Sequence, residues 1–163
     1  MKKIPLTQGR EAIVDDDDFE RVNQFRWHFV GCGRGYASRS QWIGGEKKYH
    51  NELMHRFILG LSKRGNGAAE VDHINHDGLD NRKENLRVVT HAQNCRNRSK
   101  SKNKSSQYKG VTWNSQGKNW RATITANGKY IHLGPTRLEV VAARVYDHWA
   151  KKLHGEFAST NFL

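Results

Sequence analysis

Val71-Asp72-His73-Ile74-Asn75-His76-Asp77-Gly78-Leu79-Asp80-Asn81-Arg82, continued by Asn85-Leu86-Arg87-Val88-Val89-Thr90, is the stretch on which the reading of this chain turns. Two short runs flank a loop of Asn, Asp and Gly, so the segment reads as a hairpin carrying Asp72 and His73. Thr90-His91-Ala92-Gln93 follows as a Thr-x-x-Gln capping box, which predicts a helix starting at Thr90 and places Asn94 and Cys95 in its first turns. A neutral imidazole titrates near neutrality and can take a proton from water, which suits His73 to the role of base. Asp72 offers a hard carboxylate oxygen of the kind Mg²⁺ prefers. A hairpin packed on the following helix would bring the Asn94 amide oxygen towards that carboxylate. Asn85 lies between them, where its side chain can hold the loop by hydrogen bonds to backbone.

Upstream of the hairpin, Glu11–Val14 and Phe25–Val30 read as short strands separated by Asp15-Asp16-Asp17-Asp18. Four adjacent aspartates point different ways, so a helix start or turn is a better reading than a metal site. Leu53, Met54, Phe57, Ile58 and Leu61 recur at helical spacing and end near Gly60 or the Gly65-Asn66-Gly67 turn. Within this helix His55 is read either as facing the site or as a structural partner. His76 and His91 are read as solvent-facing or phosphate-touching. Arg82 and Arg87 are read as phosphate contacts or as partners of Asp80 and Glu84.

Downstream, Arg96 to Ser106 holds five cations (Arg96, Arg98, Lys100, Lys102, Lys104), no acid and no apolar residue, and so reads as a basic linker. Cations at alternate positions suit an extended backbone lying along phosphates. Three β-like runs follow, Tyr108–Trp113, Trp120–Thr125 and Tyr130–Leu133, with the Asn127-Gly128 pair predicting a tight hairpin turn. Thr136 and Glu139 suggest a second capping box, opening a helix with the apolar stripe Leu138, Ala142, Val145, Trp149 and Leu153 and a stop at Gly155. Trp113 and Trp149 are assigned to packing rather than to stacking on a ligand.

Charge sets the partner class. The chain of 163 residues carries a net +12. Residues 1–95 hold 15 basic and 13 acidic side chains, a net of +2, whereas residues 96–163 hold 13 and 3, a net of +10. A basic half of this kind points to a polyanion, and double-stranded DNA is the expected partner. Two cysteines, Cys32 and Cys95, cannot build a disulfide framework or a four-cysteine zinc site. No apolar run approaches the length of a membrane span, and the N-terminus has no signal-peptide pattern. An intracellular, cytoplasmic setting is expected, at the nucleoid or in a phage-infected cell.

Asp72-His73, Asn85 twelve positions after His73 and Asn94 nine positions later resemble the HNH nucleases, with Asn in place of the last histidine of that pattern. Leu79-Asp80-Asn81-Arg82, Glu84-Asn85-Leu86-Arg87, Met54-His55-Arg56 and Ile4-Pro5-Leu6-Thr7 are similar to the phage and intron-encoded homing branch. The resemblance implies a ββα-metal unit, a hairpin and a helix clasping one divalent cation, Mg²⁺ or Mn²⁺. It implies His73 as general base, Asp72 and Asn94 as metal ligands and Asn85 as the structural member of the catalytic set.

Tyr108-Lys109-Gly110-Val111, Trp120-Arg121-Ala122, His132-Leu133-Gly134, Ala142-Ala143, Tyr146-Asp147 and Asn161-Phe162 follow in order the pattern of the AP2 domain. In that family a three-stranded sheet enters the major groove. Strand alternation puts Trp120, Ala122 and Ile124 on the helix side and Arg121, Thr123 and Thr125 on the DNA side. By family position Lys109, Thr112, Asn114, Tyr130 and His132 share that outer surface. Several arginines of the plant pattern are replaced here by Thr112, Asn114, Gln116, Thr125 and His132, so the plant base preference does not transfer; Asn and Gln favour adenine over guanine.

The expected molecule is α+β: a ββα-metal nuclease domain over 1–95, a basic linker over 96–106, and an AP2-like domain of three antiparallel strands on one helix over 107–163. It is expected to be a metal-dependent DNA endonuclease, a monomer or homodimer, with no membrane association and no small-molecule cofactor besides the metal. The competing reading is a sequence-specific DNA-binding regulator whose nuclease half is inactive.

Overall fold

The structure is a computed structural model and describes residues 1–31, 35–45, 48–61, 69–97 and 105–162. Cys32, the Gly65-Asn66-Gly67 turn and the linker cations Arg98, Lys100, Lys102 and Lys104 lie outside the described residues. The chain divides into two compact units, Met1–His91 and Ala92–Leu163.

The first unit opens with β1 (Lys2–Pro5) paired antiparallel to β2 (Glu11–Val14), in register Ile4↔Ala12. Alternation decides the inner face: Ile4, Ala12 and Val14 are buried while Lys3 and Glu11 pair outside. The acidic run becomes the start of α1 (Asp16–Asn23), with three aspartates in the first turn, where they complement the helix dipole. Asp18 is buried but ion-paired with Arg21 at 2.6 Å and Lys83 at 2.8 Å, and Asp15 Oδ2 accepts from Lys83 N. The run thus ties α1 to the segment just before Leu86.

Next come β3 (His28–Val30), β4 (Tyr36–Ile43) and β5 (Lys48–Leu53), an antiparallel meander in the order β3-β4-β5. Phe29 and Ala37 pair on its inner face and join the core with Trp27, whose buried indole N–H donates to Val22 O at 2.9 Å. Arg39, also on that face, stacks 3.6 Å above the Phe25 ring while paired with Glu52 at 2.6 Å. The predicted helix here is short: α2 runs only Met54–Ile58, because Leu53 is still paired with Ser38 as the last residue of β5. Gly60, at φ 66°, follows its end.

β6 (Glu70–His73) pairs antiparallel with β7 (Leu86–Val89), matching Asp72 to Arg87 and His73 to Leu86. α3 (His91–Asn97) begins immediately after Thr90. It continues past Arg96 to a buried Asn97, so the first two residues of the predicted linker are helical.

In the second unit β8 (Val111–Asn114), β9 (Asn119–Ala126) and β10 (Lys129–Thr136) form an antiparallel sheet, order β10-β9-β8, with α4 (Glu139–His154) packed across it. Asn127 and Gly128 have φ of 51° and 72°, the double left-handed pair of a two-residue hairpin turn. The capping-box expectation fails. The residue preceding α4 is Leu138; Thr136 Oγ1 donates to Leu138 O, and Glu139 accepts from Gln107 N. The buried stripe is accordingly rotated, to Ala142, Ala143, Tyr146 and Ala150, leaving Leu138 65% exposed. Trp149 packs at the margin of this core, and Trp113, 43% exposed, meets Trp120 edge-on at 5.0 Å.

The ends of this unit are tied together through Asp147. Its buried carboxylate accepts from Asn161 N, Asn161 Nδ2 and Phe162 N at 2.8–2.9 Å, while Asn161 Oδ1 accepts from Lys109 N. Three donors offset the desolvation of one carboxylate. Among the described residues, no helix is long and apolar enough to cross a membrane.

Candidate active site

His73 ends β6, and Asp72 precedes it on the opposite face of the same strand, so the two side chains diverge from one rigid element. Both are buried. Arg87, directly across the ladder, donates from Nε and Nη2 to Asp72 Oδ2 at 2.9 and 2.7 Å. This fixes the carboxylate and keeps its charge compensated.

His73 is only 5% exposed, and its Nε2 is buried with no hydrogen-bond partner among the described residues. Burial pulls its pKa below the ordinary histidine value; the Asn81 amide and the carboxylates of Asp72, Asp77 and Asp80 push the other way without overcoming it. The ring is therefore neutral at pH 7 and able to accept a proton. Two other rings hold it: His55 from α2 at 5.0 Å and Tyr36 from the start of β4 at 5.8 Å, with Tyr36 and His55 themselves 5.7 Å apart. His55 thus lies beside His73.

The loop between the two strands is tied at every step. Asn85 Nδ2 donates to Asp80 O at 2.7 Å and its Oδ1 accepts from Asn75 N at 3.0 Å, while Ile74 N bonds Asn85 O. Asp80 is buried and receives Arg82 Nε, Arg82 Nη2 and Asn75 Nδ2 at 2.7–2.9 Å; the Arg82 bonds hold its carboxyl below the usual range. Arg82 also pairs with Glu84, so both hairpin arginines are engaged by carboxylates. Ile13 N donates to Leu79 O and Asn81 N to Ile13 O, each at 2.8 Å, zipping the loop onto β2. Gly78 presses so close to the β4 entrance that a Cβ there would fall 2.2 Å from Gly35 O and 2.7 Å from the Tyr36 ring. His91 Nδ1 meets Glu70 Oε1 at 2.7 Å.

Asn94 lies on α3, beyond the division and in the second unit. Among the described residues no three His, Cys, Asp or Glu side chains are placed so that together they could hold a metal ion. Asp72 by itself offers one carboxylate, a hard donor of the kind that suits an ion keeping most of its shell as water and phosphate.

An HNH endonuclease family model matches residues 62–96. Over 156 residues, 94% of this chain and 76% of the relative, the sequence is 33% identical to the uncharacterized HNH endonuclease L560 of Acanthamoeba polyphaga mimivirus. This chain belongs to the HNH endonuclease family. Another relative of this HNH chain is Protein 3.8 of Escherichia phage T7, 34% identical over 88 residues, 54% of this chain and 72% of that protein. A third likeness is 40% identity over 62 residues to the AP2-like ethylene-responsive transcription factor TOE2 of Arabidopsis thaliana, 38% of this chain and 13% of that one. No solved structure matches.

In the second unit of this HNH endonuclease, Thr112, Arg121, Thr125, Tyr130 and His132 are exposed on the sheet. With its oxygen turned towards them, the Asn114 amide accepts from Arg121 Nη2 at 2.7 Å and Gly117 N at 3.1 Å, holding the guanidinium in place. Two expected outer residues depart from the alternation. Thr123 is 8% exposed, its hydroxyl bonded to Gly110 O, and Lys109 donates from Nζ to Arg96 O at 2.6 Å. Burial lowers the Lys109 pKa to about 8, so this ammonium closes the end of α3 instead of standing in solvent. Tyr36 was not legible as a site residue: no motif marks it, and only the loop's approach through Gly78 brings it to His73.

Proposed function

We propose that this chain hydrolyses phosphodiester bonds in double-stranded DNA with His73 as general base, as a homing endonuclease of a phage or mobile element. The observation that carries the reading is His73 itself: buried, neutral at pH 7 and walled by Tyr36 and His55 at the end of a strand. Its imidazole takes a proton from a water as that water's oxygen bonds to phosphorus and the bond to the leaving oxygen breaks. Asp72 and Asn94 are the residues that would hold a divalent cation, Mg²⁺ or Mn²⁺, which when bound supplies positive charge to the phosphate and the leaving oxygen. Arg87 orients Asp72, and Asn85 keeps the hairpin loop in shape.

The second unit serves as an AP2-like module that seats the enzyme on a long target through Thr112, Asn114, Arg121, Thr125, Tyr130 and His132. The likeness to an AP2-like plant factor and the concentration of positive charge after residue 95 support this role. Arg96, Arg98, Lys100, Lys102 and Lys104 contribute the sequence-independent phosphate attraction. The viral relatives support the mobile-element setting.

Supercoiled plasmid carrying a randomised insert, incubated with the protein and Mg²⁺, is expected to give nicked or linear product at a long, mismatch-tolerant site. His73→Ala is expected to cut about 10²–10⁴-fold more slowly while binding the same DNA. Wild-type rates in that variant overturn the assignment of the base. A short, exact site overturns the homing role.

A further inference from the structure

The β3-β4-β5 sheet has two unlike faces. One carries Phe29, Ala37 and Arg39 into the core. Strand parity puts Tyr36, Ser40 and Trp42 on the other, with Asn51 opposite Ser40 and Tyr49 opposite Trp42. These five are exposed, whereas Ser38, which parity places between Tyr36 and Ser40, is buried. Trp42 and Tyr49 form a cross-strand ring pair, 5.0 Å between centroids, at 52% and 70% exposure. Ser40 and Asn51 join side chains at 3.3 Å between that pair and the base of the face. At the base stands Tyr36, whose ring touches His73.

Two large exposed aromatics held together on a hairpin cost solvation unless something covers them. The face contains no carboxylate among its described residues, so it does not repel a polyanion. Its Tyr36 end lies against the His73 ring, which on the nuclease reading already has to meet the substrate. A two-stranded ribbon has the width that the major groove admits.

We propose that this face is a track for duplex DNA, leading from the scissile phosphate at Tyr36 and His73 to a second contact at Trp42 and Tyr49. This assignment takes the position of the cut from the nuclease reading. Six residues separate Tyr36 from Trp42, roughly 20 Å at about 3.3 Å per strand residue. At about 3.4 Å per base step this is some six base pairs from the cut. The rings give van der Waals contact to the groove wall without reading a unique base, so the track adds reach and affinity rather than sequence choice.

The test uses the full chain and a long duplex that it selects from a random pool, shortened stepwise from each end, with affinity measured by fluorescence anisotropy in the absence of Mg²⁺. Wild type is expected to lose about tenfold in affinity, about 1.4 kcal/mol, at one truncation step on one side. The Trp42→Ser/Tyr49→Ser variant is expected to bind the long duplex as weakly as wild type binds the truncated one, and to show no such step. Trp42→Phe/Tyr49→Phe, which keeps the rings, should restore it. Equal affinities of wild type and the Ser variant for the long duplex overturn the proposal, as does an equal gain on the corresponding single strand. A wild-type dimer that the Ser variant dissolves, with DNA affinity unchanged, overturns it in favour of self-association. Failure of wild type to cut any DNA would refute the nuclease reading alone, because the truncation series needs no cleavage.

Discussion

Gly78→Ala is the smallest change that separates the geometry of the site from its chemistry. The glycine is neither the proposed base nor a proposed metal ligand, and its φ lies outside the left-handed region, so alanine is not excluded by backbone conformation. Its added Cβ would sit 2.2 Å from Gly35 O and 2.7 and 2.8 Å from two atoms of the Tyr36 ring. A ring can turn aside; a backbone carbonyl cannot. Restoring even the 3.0 Å that real Cβ contacts respect requires the loop and the β4 entrance to part by at least 0.8 Å. Gly35 has little freedom to retreat, since its own Cβ position is blocked by the Phe29 ring at 2.1 Å. The movement therefore falls on the loop that leaves His73 and on the Tyr36 ring beside it. Overpacking of this kind costs about 1–3 kcal/mol of stability. Displacement of a catalytic group by about 1 Å costs on the order of 10²-fold in rate. Single-turnover cleavage with saturating enzyme should fall by that order, with binding of the same duplex within about threefold of wild type and a lowered thermal transition. Unchanged cleavage and unchanged melting would show that the loop does not hold Tyr36 against the base. A melting loss with normal cleavage would show that the approach is structural only.

Two further outcomes follow from the same structure. Asp72→Asn, which keeps the shape that Arg87 grips, should raise the Mg²⁺ concentration for half-maximal cutting more than Asn94→Ala does, because a carboxylate is the stronger hard ligand. Metal titrations that overlay wild type for both would remove the ligand assignment. Protonating His154 should loosen the second unit: its Nε2 hydrogen bonds to Thr125 O, its buried Nδ1 has no hydrogen-bond partner among the described residues, and burial, with Arg96 and Lys109 nearby, lowers its pKa. Because the unfolded chain binds the proton first, stability should be lost as pH falls through about 6.5. Amide exchange in β9 and α4 should quicken over that interval in wild type and less so in His154→Gln; identical pH dependence in the two would count against the residue.

What the sequence made legible divides along a physical line. Local chemistry was readable: the helix start at the aspartates, the Asn127-Gly128 turn and the helix beginning after Thr90 all depend on residues within a few positions of each other. What failed was non-local. The Thr136/Glu139 pair has the spacing of a cap, yet the carboxylate of Glu139 is taken by Gln107 N, thirty-two positions away, and α4 starts later with its buried face rotated. Thr123 obeys alternation in sequence, but Gly110 lies against it and buries it. Tyr36 is the same lesson at the site. Nothing within its own strand ties it to His73; that neighbourhood exists because a glycine forty-two positions further on has no side chain to keep the loop away. A spacing motif can name groups capable of the chemistry, since capability belongs to the side chain. It cannot name the groups that hold them still, since these are chosen by whichever parts of the fold happen to meet. The surroundings of His73 are therefore better probed by packing changes at Gly78 and Tyr36 than by further substitutions inside the motif.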